Sequence, residues 1–565
     1  MCGIFAILKN KYAIVDFKKD LSVINKIFNK GQSRGPENSS LNVINDNILY
    51  GFHRLAINGL DDISNQPITH KGIYLICNGE IYNYKQIFYQ LSVNPVTNSD
   101  CEAIIHLYLK YGIDYTVQNL DGVFSFVLFD SNNNTGYIAR DPYGVRPLFY
   151  GFGEDFFICA SLLKQIGDIV DDVHTFEPGS YMKFNILPNN NISITDIPYK
   201  YNTFNYNHNY PTSLSTVINH SELEKYYVNI YNDLFNAVKK RVITMETNLA
   251  CLLSGGLDSS LITALVSKFI PKNQLQTYSI GMIGGSDLKY ASAVSKHINS
   301  KHTEIILSEH EFFSTIPEVI YNIESYDTTT VRASVGNYLV AKYISENSDA
   351  KVIFNGDGSD ELTGGYLYFH NCPSDIEFDH ECKRLLKELH YFDVLRSDRS
   401  ISCHGLEART PFLDRSFVSN YLQIPIRVRN HNNFNTIEKY LLRNSVKYCD
   451  PHLLPDDVLW RKKEAFSDGV SSTEKSWYEI IQDTIDSIYS DDEYNILIKK
   501  YSHNTPTTKE QLYYREIFNK HFPNKDEIIP HFWMPKYCNS TDSSARSLDI
   551  YNKPTIIDYL TVEDV

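Results

Sequence analysis

Short apolar runs typical of β-strands dominate residues 2–182. Six of them predict strands: GIFAIL, ILYGFHRLAI, IYLICNGEIY, GVFSFVLFD, TGYIAR and FFICAS. Turn-forming clusters such as NGLDD, DSNNNTG and DPYG separate these runs, and residues 100–111 have a helical pattern. The first third of the chain is therefore predicted to form packed antiparallel sheets with some helical cover.

A different rhythm begins after residue 212. Apolar strand-like runs at 248–253, 275–281, 302–307 and 351–357 alternate with helical patterns. Strands that alternate with helices of about 10–15 residues predict a doubly wound parallel sheet. Beyond residue 405 the pattern becomes helical. The fold class is therefore α/β, with an antiparallel sandwich followed by a parallel-sheet domain that has a helical C-terminal part.

These patterns divide the chain into four zones. Residues 2–186 form the first predicted domain and residues 212–548 the second. Between them, residues 187–211 are rich in Asn, Tyr and Pro and have little periodicity, which predicts a linker. Residues 549–565 are predicted to be a weakly ordered acidic tail.

Composition narrows the classes of function. A chain of 565 residues is too long for one core, and its net charge of −15 argues against a nucleic-acid partner. Ten scattered cysteines without a CxxC pair indicate free thiols in a reducing, cytoplasmic compartment. No apolar run reaches the roughly 18–20 residues of a membrane span, and the N-terminus lacks a secretory pattern.

Cys2 is the first candidate for chemistry. If only Met1 is removed, the α-amine of Cys2 becomes free, with a reference pKa near ~7.7–8 against ~8.5 for a thiol. The amine can then act as base for the thiol of the same residue, so that one residue supplies nucleophile and base. A cysteine after Met1 is most often an accident, so the interpretation depends on the motifs that follow.

Eight local motifs follow Cys2 in order: SRGPE (33–37), HRLAI (53–57), QPI (66–68), NGEIYN (78–83), SDCE (99–102), LDGVFSF (120–126), ARDPYGVRPLFY (139–150) and EPGS (177–180). Together they resemble the class II glutamine amidotransferase domain of the N-terminal-nucleophile superfamily. The resemblance implies that Cys2 attacks the side-chain amide of glutamine, and that the Asn78 amide and the Gly79 N–H stabilise the oxyanion. It also implies a set of glutamine-binding residues: Arg54, Leu55, Ala56, Ile57, Asn58, Asn78, Gly79, Glu80 and Asp100.

A glycine-rich loop marks the second domain. SGGLDSS (254–260) follows a predicted buried strand and opens a helix, so that Ser254, Gly255 and Gly256 leave the backbone N–H groups open to an anion. The GxxxxGK[ST] loop of common kinases does not occur in the chain. SGGLDSS instead resembles the pyrophosphate loop of enzymes that cleave ATP between the α- and β-phosphates.

Two carboxylates lie where parallel strands are predicted to end. Asp258 belongs to SGGLDSS and Asp360 to NGDGSDELTGGY (355–366), and Mg²⁺ bound with ATP prefers one or two carboxylates together with phosphate oxygens. By resemblance, Lys463 in WRKKEAFSDGVS neutralises the leaving pyrophosphate. The remaining residues that the resemblance places at ATP are Leu253, Ser254, Gly255, Gly256, Ser259, Ile280, Asn355 and Gly356.

Two further segments, YDTTTVRAS (326–334) and GLEARTPFLD (405–414), resemble the glutamine-hydrolysing asparagine synthetase family. With DSSARSL (542–548), the resemblance runs from Cys2 to residue 548. It implies that Thr329, Thr330 and Arg332 bind aspartate, with Arg332 making a bidentate contact. It further implies β-aspartyl-AMP as intermediate, ammonia that passes between the sites, the small-molecule substrates glutamine, aspartate and ATP, and leaves room for a homodimer.

One loop departs from the family pattern. The family has GEGSDE where this chain has GDGSDE, which places Asp357 at the position of a glutamate thought to act as base, and Asn355 replaces a serine. The carboxylate is shorter by about 1.3 Å of reach. Two alternative functions stay open from the residues: a related amidotransferase with another carboxylate acceptor, and a binding protein without turnover.

Overall fold

The structure is a computed structural model that describes residues 2–195, 197–202 and 220–553. Its strands are β1 Gly3–Lys9, β2 Asn38–Val43, β3 Ile48–Arg54, β4 Ile68–His70, β5 Ile73–Ile81, β6 Gly122–Asp130, β7 Thr135–Arg140, β8 Phe149–Phe152, β9 Phe156–Ala160, β10 Val173–Thr175, β11 Ser180–Ile186, β12 Ile192–Ile194, β13 Tyr199–Lys200, β14 Leu249–Leu252, β15 Gln276–Met282, β16 Lys301–Leu307, β17 Val352–Phe354 and β18 Glu407–Arg409.

The α-helices are α1 Leu21–Phe28, α2 Tyr84–Leu91, α3 Glu102–Asn119, α4 His220–Ile243, α5 Leu257–Ser267, α6 Leu288–Ile298, α7 Glu309–Ile323, α8 Thr328–Asn347, α9 Ser359–Thr363, α10 Asp375–Glu388, α11 Asp393–Ser402, α12 Arg415–Gln423, α13 Ile426–Arg429, α14 Tyr440–Cys449, α15 Asp456–Leu459, α16 Phe466–Gly469, α17 Trp477–Asp486, α18 Asp491–Leu497 and α19 Lys509–His521. None of the described helices combines the length and the apolar character that crossing a membrane requires.

The first domain is built on two antiparallel sheets. Their strand orders are β10-β8-β9-β1-β3-β2 and β12-β11-β7-β6-β5-β4, with β13 paired to β11. Alternate residues of β1 and β3, including Ile4, Ala6 and Phe52, pack against Ile76 and Val127 of the second sheet. On its other side the second sheet is covered by α3. Both faces are therefore buried, which confirms the predicted sandwich and explains why every residue of β6 is buried.

The second domain contains a parallel sheet in the order β16-β15-β14-β17-β18. The four predicted strands are present, and the order of connection is that of a doubly wound sheet. The fifth strand, β18, was not predicted, since a helical pattern was expected beyond residue 405. Three residues of sequence EAR lack strand periodicity. They are extended because their backbone pairs in parallel with β17, and the Arg409 side chain donates to Glu407 at 2.9 Å along the strand.

The predicted linker and tail differ partly from the structure. Within 187–211, strands β12 and β13 extend the second sheet, so this part of the segment belongs to the first domain. Residues 203–211 lie outside the described residues. In the predicted tail, Asp549–Asn552 forms a short 3-10 helix whose carbonyls accept hydrogen bonds from Lys462. Residues 554–565 again lie outside the described residues.

All ten cysteines have free thiols, as the sequence predicted.

Candidate active sites

Cys2 immediately precedes the central strand β1 of the first sheet. Its Sγ lies 3.7 Å from the Leu55 carbonyl oxygen, and the Nε of Arg34 donates to the Cys2 carbonyl at 3.0 Å. Burial raises the pKa of the Cys2 thiol to about 11. At neutral pH the thiol is therefore protonated, and it needs a base before it can act as a nucleophile.

Asn78 and Gly79 lie on β5, which packs across the sandwich from β1. Asn78 is fully buried, yet neither the nitrogen nor the oxygen of its side-chain amide has a hydrogen-bond partner in the described part of the chain. Such an amide costs about 1–3 kcal/mol when it stays unpaired. A polar ligand is therefore expected here. At Gly79, a Cβ would lie 2.5 Å from the carbonyl oxygen of Val123, so only glycine fits.

The residues that follow β3 form the next part of this site. The Arg54 guanidinium is held by the loop after it, since Nη1 donates to the Asp61 carbonyl at 2.9 Å and to the Asn65 side chain at 2.7 Å. Leu55 and Ile57 are buried, and the Ala56 N–H donates to Glu37 at 2.5 Å. Nη2 also donates to the Gly59 carbonyl, so the loop holds the Arg54 guanidinium in one direction.

Two acids of the predicted glutamine site differ in their surroundings. Asp100 accepts a hydrogen bond from the Ile81 N–H at 2.6 Å, and burial raises the pKa of Asp100 to about 6. Glu80 pairs with Arg409 of β18 at 3.1 Å and accepts from Asn58 at 2.7 Å. Burial, together with repulsion from Glu407, holds the pKa of Glu80 well above its usual range. Glu80 therefore connects the two domains, a role that the sequence did not predict.

The second candidate site lies at the carboxyl ends of β14, β15 and β17. Gly255 has φ +81°, and a Cβ there would lie 2.5 Å from the Ala291 nitrogen. Gly256 precedes α5, and its N–H donates to the Ser254 hydroxyl at 3.3 Å. The loop therefore turns sharply and presents the beginning of α5 to the space beyond the sheet, as a phosphate-binding loop requires.

One open cavity gathers most of the predicted residues of this domain. Its lining includes Leu253, Ser254, Gly256, Asp258, Ser259, Ile280, Thr329, Thr330, Asn355, Gly356, Asp357, Asp360 and Lys463. A Cβ on Gly356 would lie 2.7 Å from the Asp258 Cβ, so the two predicted loops are in contact. Two predicted residues, Gly255 and Arg332, do not line the cavity.

Two carboxylates converge at the centre of this cavity. The ammonium group of Lys439 lies 2.6 Å from Asp258 and 2.5 Å from Asp360, and Lys463 donates to the other oxygen of Asp360 at 2.6 Å. Burial disfavours the Asp360 carboxylate, but Lys439 and Lys463 hold its pKa below the usual range. Both oxygens of Asp258 are also in use, since Ser359 donates to the other at 2.8 Å. Two carboxylates that share one positive charge offer the oxygen ligands that a divalent cation takes, and Lys439 occupies the place between them.

Asp357 lies at the rim of β17 and faces a cation. Its Oδ1 accepts from Arg396 at 2.8 Å, while its buried Oδ2 has no partner among the described residues. Arg396 also pairs with Asp393 at 3.0 Å. The shortened carboxylate thus reaches an arginine of α11 and retains one free oxygen inside the cavity.

The predicted aspartate-binding residues are divided by the structure. Thr329 lines the cavity with a buried hydroxyl that has no partner in the described ranges, and Thr330 donates to Asp327 at 2.7 Å. Arg332 is enclosed by Glu510 at 2.6 Å and Asp542 at 2.7 Å. These two contacts engage its guanidinium fork. Arg332 therefore does not line the cavity, although Thr329 and Thr330 on the same helix do.

Several lining residues have no signal in the sequence. Lys439 in IEKYLLR has the sequence pattern of an ordinary charged residue on a helix. Arg396 and Asp393 in DVLRSDR have the same pattern. Lys439 has a positive φ of 60° at the start of α14, which no pattern of residues announces. Only the folded chain places these charges beside the predicted loops.

Comparison with known proteins agrees with this division into two sites. Residues 1–200 match the family model described as glutamine amidotransferase domain, and residues 229–378 and 373–543 match the one described as asparagine synthase. The protein named asparagine synthetase (glutamine-hydrolyzing) from Gallus gallus is 43% identical over 570 residues, which cover 98% of this chain and 99% of that protein. Its counterpart from Mus musculus is 42% identical over 569 residues, with the same shares covered.

Among solved structures, glutamine phosphoribosylpyrophosphate amidotransferase from B. subtilis matches 54% of this chain and 81% of its own, at 15% identity and a TM-score of 0.29. The sequence matches are far more extensive, since they span both domains and nearly the full length of each relative. This chain belongs to the glutamine-hydrolysing asparagine synthetase family.

Proposed function

We propose that this protein is a ligase that makes asparagine from aspartate, with ATP as the energy source and glutamine as the nitrogen donor. The products are AMP, diphosphate, asparagine and glutamate. The observation that carries the proposal is the convergence of Asp258, Asp360 and Lys463 on one cavity, in a chain whose first strand directly follows the Cys2 thiol. The name of the relatives, asparagine synthetase (glutamine-hydrolyzing), describes the same pair of activities.

The glutaminase reaction begins at Cys2. Burial raises the pKa of the Cys2 thiol, so the thiol is protonated before the reaction. With Met1 removed, the free α-amine of Cys2 takes this proton. The thiolate attacks the side-chain amide carbon of glutamine, and the unpaired amide of Asn78 with the N–H of Gly79 donates to the oxyanion. Arg54 binds the α-carboxylate and Asp100 the α-ammonium group. Collapse of the oxyanion releases ammonia, and water then frees glutamate.

ATP occupies the second cavity with its phosphates at the SGGLDSS loop. Asp258 and Asp360 would hold Mg²⁺, which supplies positive charge to the phosphate oxygens when it is bound. Leu253 and Ile280, at the ends of β14 and β15, contact the adenine. Lys463 stabilises the negative charge of the departing diphosphate, and Lys439 lies close enough to assist it.

Aspartate reacts with ATP in the same cavity. Its β-carboxylate attacks the α-phosphorus, diphosphate leaves, and β-aspartyl-AMP forms. Ammonia from the first site then displaces AMP, and it has to travel through the protein because protonation in water would remove its nucleophilicity. The unpaired hydroxyl of Thr329 is available to the substrate, whereas Arg332 is already paired.

One assay tests this proposal. Purified protein is incubated with MgATP and aspartate, with glutamine or ammonium chloride as nitrogen source, and asparagine, AMP and diphosphate are measured. Equal amounts of the three products with either nitrogen source are expected. AMP formation with another carboxylic acid but not with aspartate would favour the related amidotransferase, and binding of ATP without any product would favour a protein without turnover.

A further inference from the structure

Helix α11 lies between the two sites and contacts both of them. Arg396 lines the ATP cavity and donates to Asp357 at 2.8 Å, and Ser397 accepts from the cavity-lining residue Asn355 at 2.6 Å. The next residue, Asp398, faces the first domain. Its two oxygens accept from the guanidinium of Arg34 at 2.7 and 3.2 Å.

Arg34 is in turn hydrogen-bonded to Cys2, the proposed nucleophile. Its Nε donates to the carbonyl of Cys2 at 3.0 Å, and Ser402 of α11 accepts from the same guanidinium at 2.9 Å. Arg34 is fully buried, and Asp398 is 2% exposed. Because a buried arginine is fixed by a bidentate carboxylate, the position of the Cys2 carbonyl depends on a residue of the second domain.

The position of that carbonyl matters for the chemistry. Once Met1 is removed, Cys2 has no chain on its N-terminal side, so the hydrogen bond from Arg34 to its carbonyl and the contact of its Sγ with the Leu55 carbonyl oxygen restrain the direction of the thiol and the α-amine. A misplacement of about 1 Å between reacting groups can lower a rate by about 10²-fold. The pair Arg34–Asp398 therefore restrains the position of Cys2 in addition to joining the two domains.

We infer that Asp398 is a positioning residue of the glutaminase reaction, contributed by the ATP-using domain. It acts through Arg34 and touches no substrate; it also forms a longer ion pair, with Arg146 at 3.7 Å. The inference rests on the proposed function, since it assumes that Cys2 hydrolyses glutamine. It assigns to α11 a role at both sites, with Arg396 and Asp398 on opposite sides of one helical turn.

Asp398→Asn tests the inference, because the amide keeps the size of the side chain but removes its charge. We expect the kcat for glutamine hydrolysis to fall by about tenfold or more, with KM for glutamine within twofold, since Arg54 and Asp100 still bind the substrate. Ammonium-dependent synthesis of asparagine should stay within about threefold. A purely structural role would lower both activities together, and that result would overturn the inference.

Asp379→Asn is the matched control. Asp379 is also a buried aspartate on a helix of the second domain and pairs with Arg429 and Lys383, but it lies in neither candidate site. Its substitution should leave the kcat for glutamine hydrolysis unchanged. An equal fall in kcat in both variants would refute a specific role for Asp398.

Ser402→Ala is the second variant, for use if Asp398→Asn does not fold. It removes one hydrogen-bond acceptor of Arg34 and leaves the ion pair between Arg34 and Asp398 in place. A selective fall in glutaminase kcat of about threefold is expected, and an unchanged kcat would count against the inference. If the unmodified protein lacks Met1 and still hydrolyses no glutamine, the proposed function itself fails. That result differs from an active parent protein whose Asp398 variant has an unchanged kcat, which would refute only the inference.

Discussion

The departure at Asp357 gives the sharpest test of the ATP-using site. In Asp357→Asn, the remaining oxygen can still accept from Arg396, and Arg396 keeps Asp393 as a partner. The variant should therefore fold, while the cavity loses one negative charge. We expect ammonium-dependent asparagine synthesis to be severely impaired, because both formation and collapse of the acyl-adenylate involve a charged centre near this strand end.

The hydrogen bond between Arg396 and Asp357 sets the scale of the expected loss in synthetase rate. A hydrogen bond to a charged group is worth roughly 1.5–3 kcal/mol. Asparagine keeps a hydrogen bond to Arg396 but loses the charge; if the whole charged interaction is lost from the transition state, the rate falls by about tenfold to 150-fold, at about 1.36 kcal/mol for each factor of ten. A larger loss would indicate that the free Oδ2, which has no partner in the described chain, also takes a proton.

Asp357→Glu separates two explanations of the shorter side chain. If the loop merely tolerates aspartate, the added methylene should leave the rate unchanged or raise it. If the loop has adapted to aspartate, the longer side chain collides with Arg396, which lies only 2.8 Å from the present carboxylate, and the rate falls. We expect an active enzyme, because the matching loop of the family carries glutamate.

The assay is release of diphosphate with aspartate, MgATP and ammonium chloride, with glutamine hydrolysis measured in the same preparations. Glutaminase activity should be constant in both variants, and a parallel loss would indicate damage to folding. Full synthetase activity in Asp357→Asn would refute the argument, since a carboxylate without a chemical role cannot be the base.

Two other predictions concern the two sites, and a third concerns a buried ion pair outside them. Cys2→Ala should abolish glutamine-dependent synthesis and spare ammonium-dependent synthesis, and mass spectrometry should show that Met1 is absent from active protein; retention of Met1 would refute the role of the α-amine. Asp258→Asn and Asp360→Asn should each eliminate diphosphate release and spare glutaminase activity, whereas near-normal synthesis would exclude the residue as a metal ligand. Asp414 is buried, but Arg241 and Lys240 hold its pKa below the usual range, so its charge stabilises the protein above the unfolded pKa of about 3.9. Asp414→Asn should therefore destabilise the protein by about 3–5 kcal/mol at pH 7, and the difference in urea midpoints should shrink as pH falls through the folded pKa; a deficit that is independent of pH would contradict this.

Much of the fold is encoded locally. The alternation of strands and helices from residue 248 to 357 predicted the parallel sheet, because each strand is a short buried run followed by a helix of its own. The same reasoning placed SGGLDSS and NGDGSDE together, since the carboxyl ends of parallel strands meet at one edge. The cavity lined by both loops confirms that prediction of their proximity.

Contacts between distant parts of the chain were not predictable in this way. Glu80 was expected at the substrate, but it pairs with Arg409 on a strand that is too short to have a periodic pattern. Nothing in the sequence indicated an ion-pair partner for Arg332, yet in the structure it pairs with Glu510 and Asp542, which lie much later in the chain. A charged residue shows no sign in sequence of which opposite charge it will meet after folding.

The sequence by itself thus determined the order of the domains, the position of the candidate nucleophile Cys2 and the loops that carry the predicted phosphate-binding residues. Those features depend on residues that are close together in the chain, where spacing has a direct structural meaning. Tertiary structure alone decided that Lys439 lies between Asp258 and Asp360, and that α11 joins both sites through Arg396 and Asp398. These pairs are set by packing of buried charges over long separations, where only the complete fold specifies the partner.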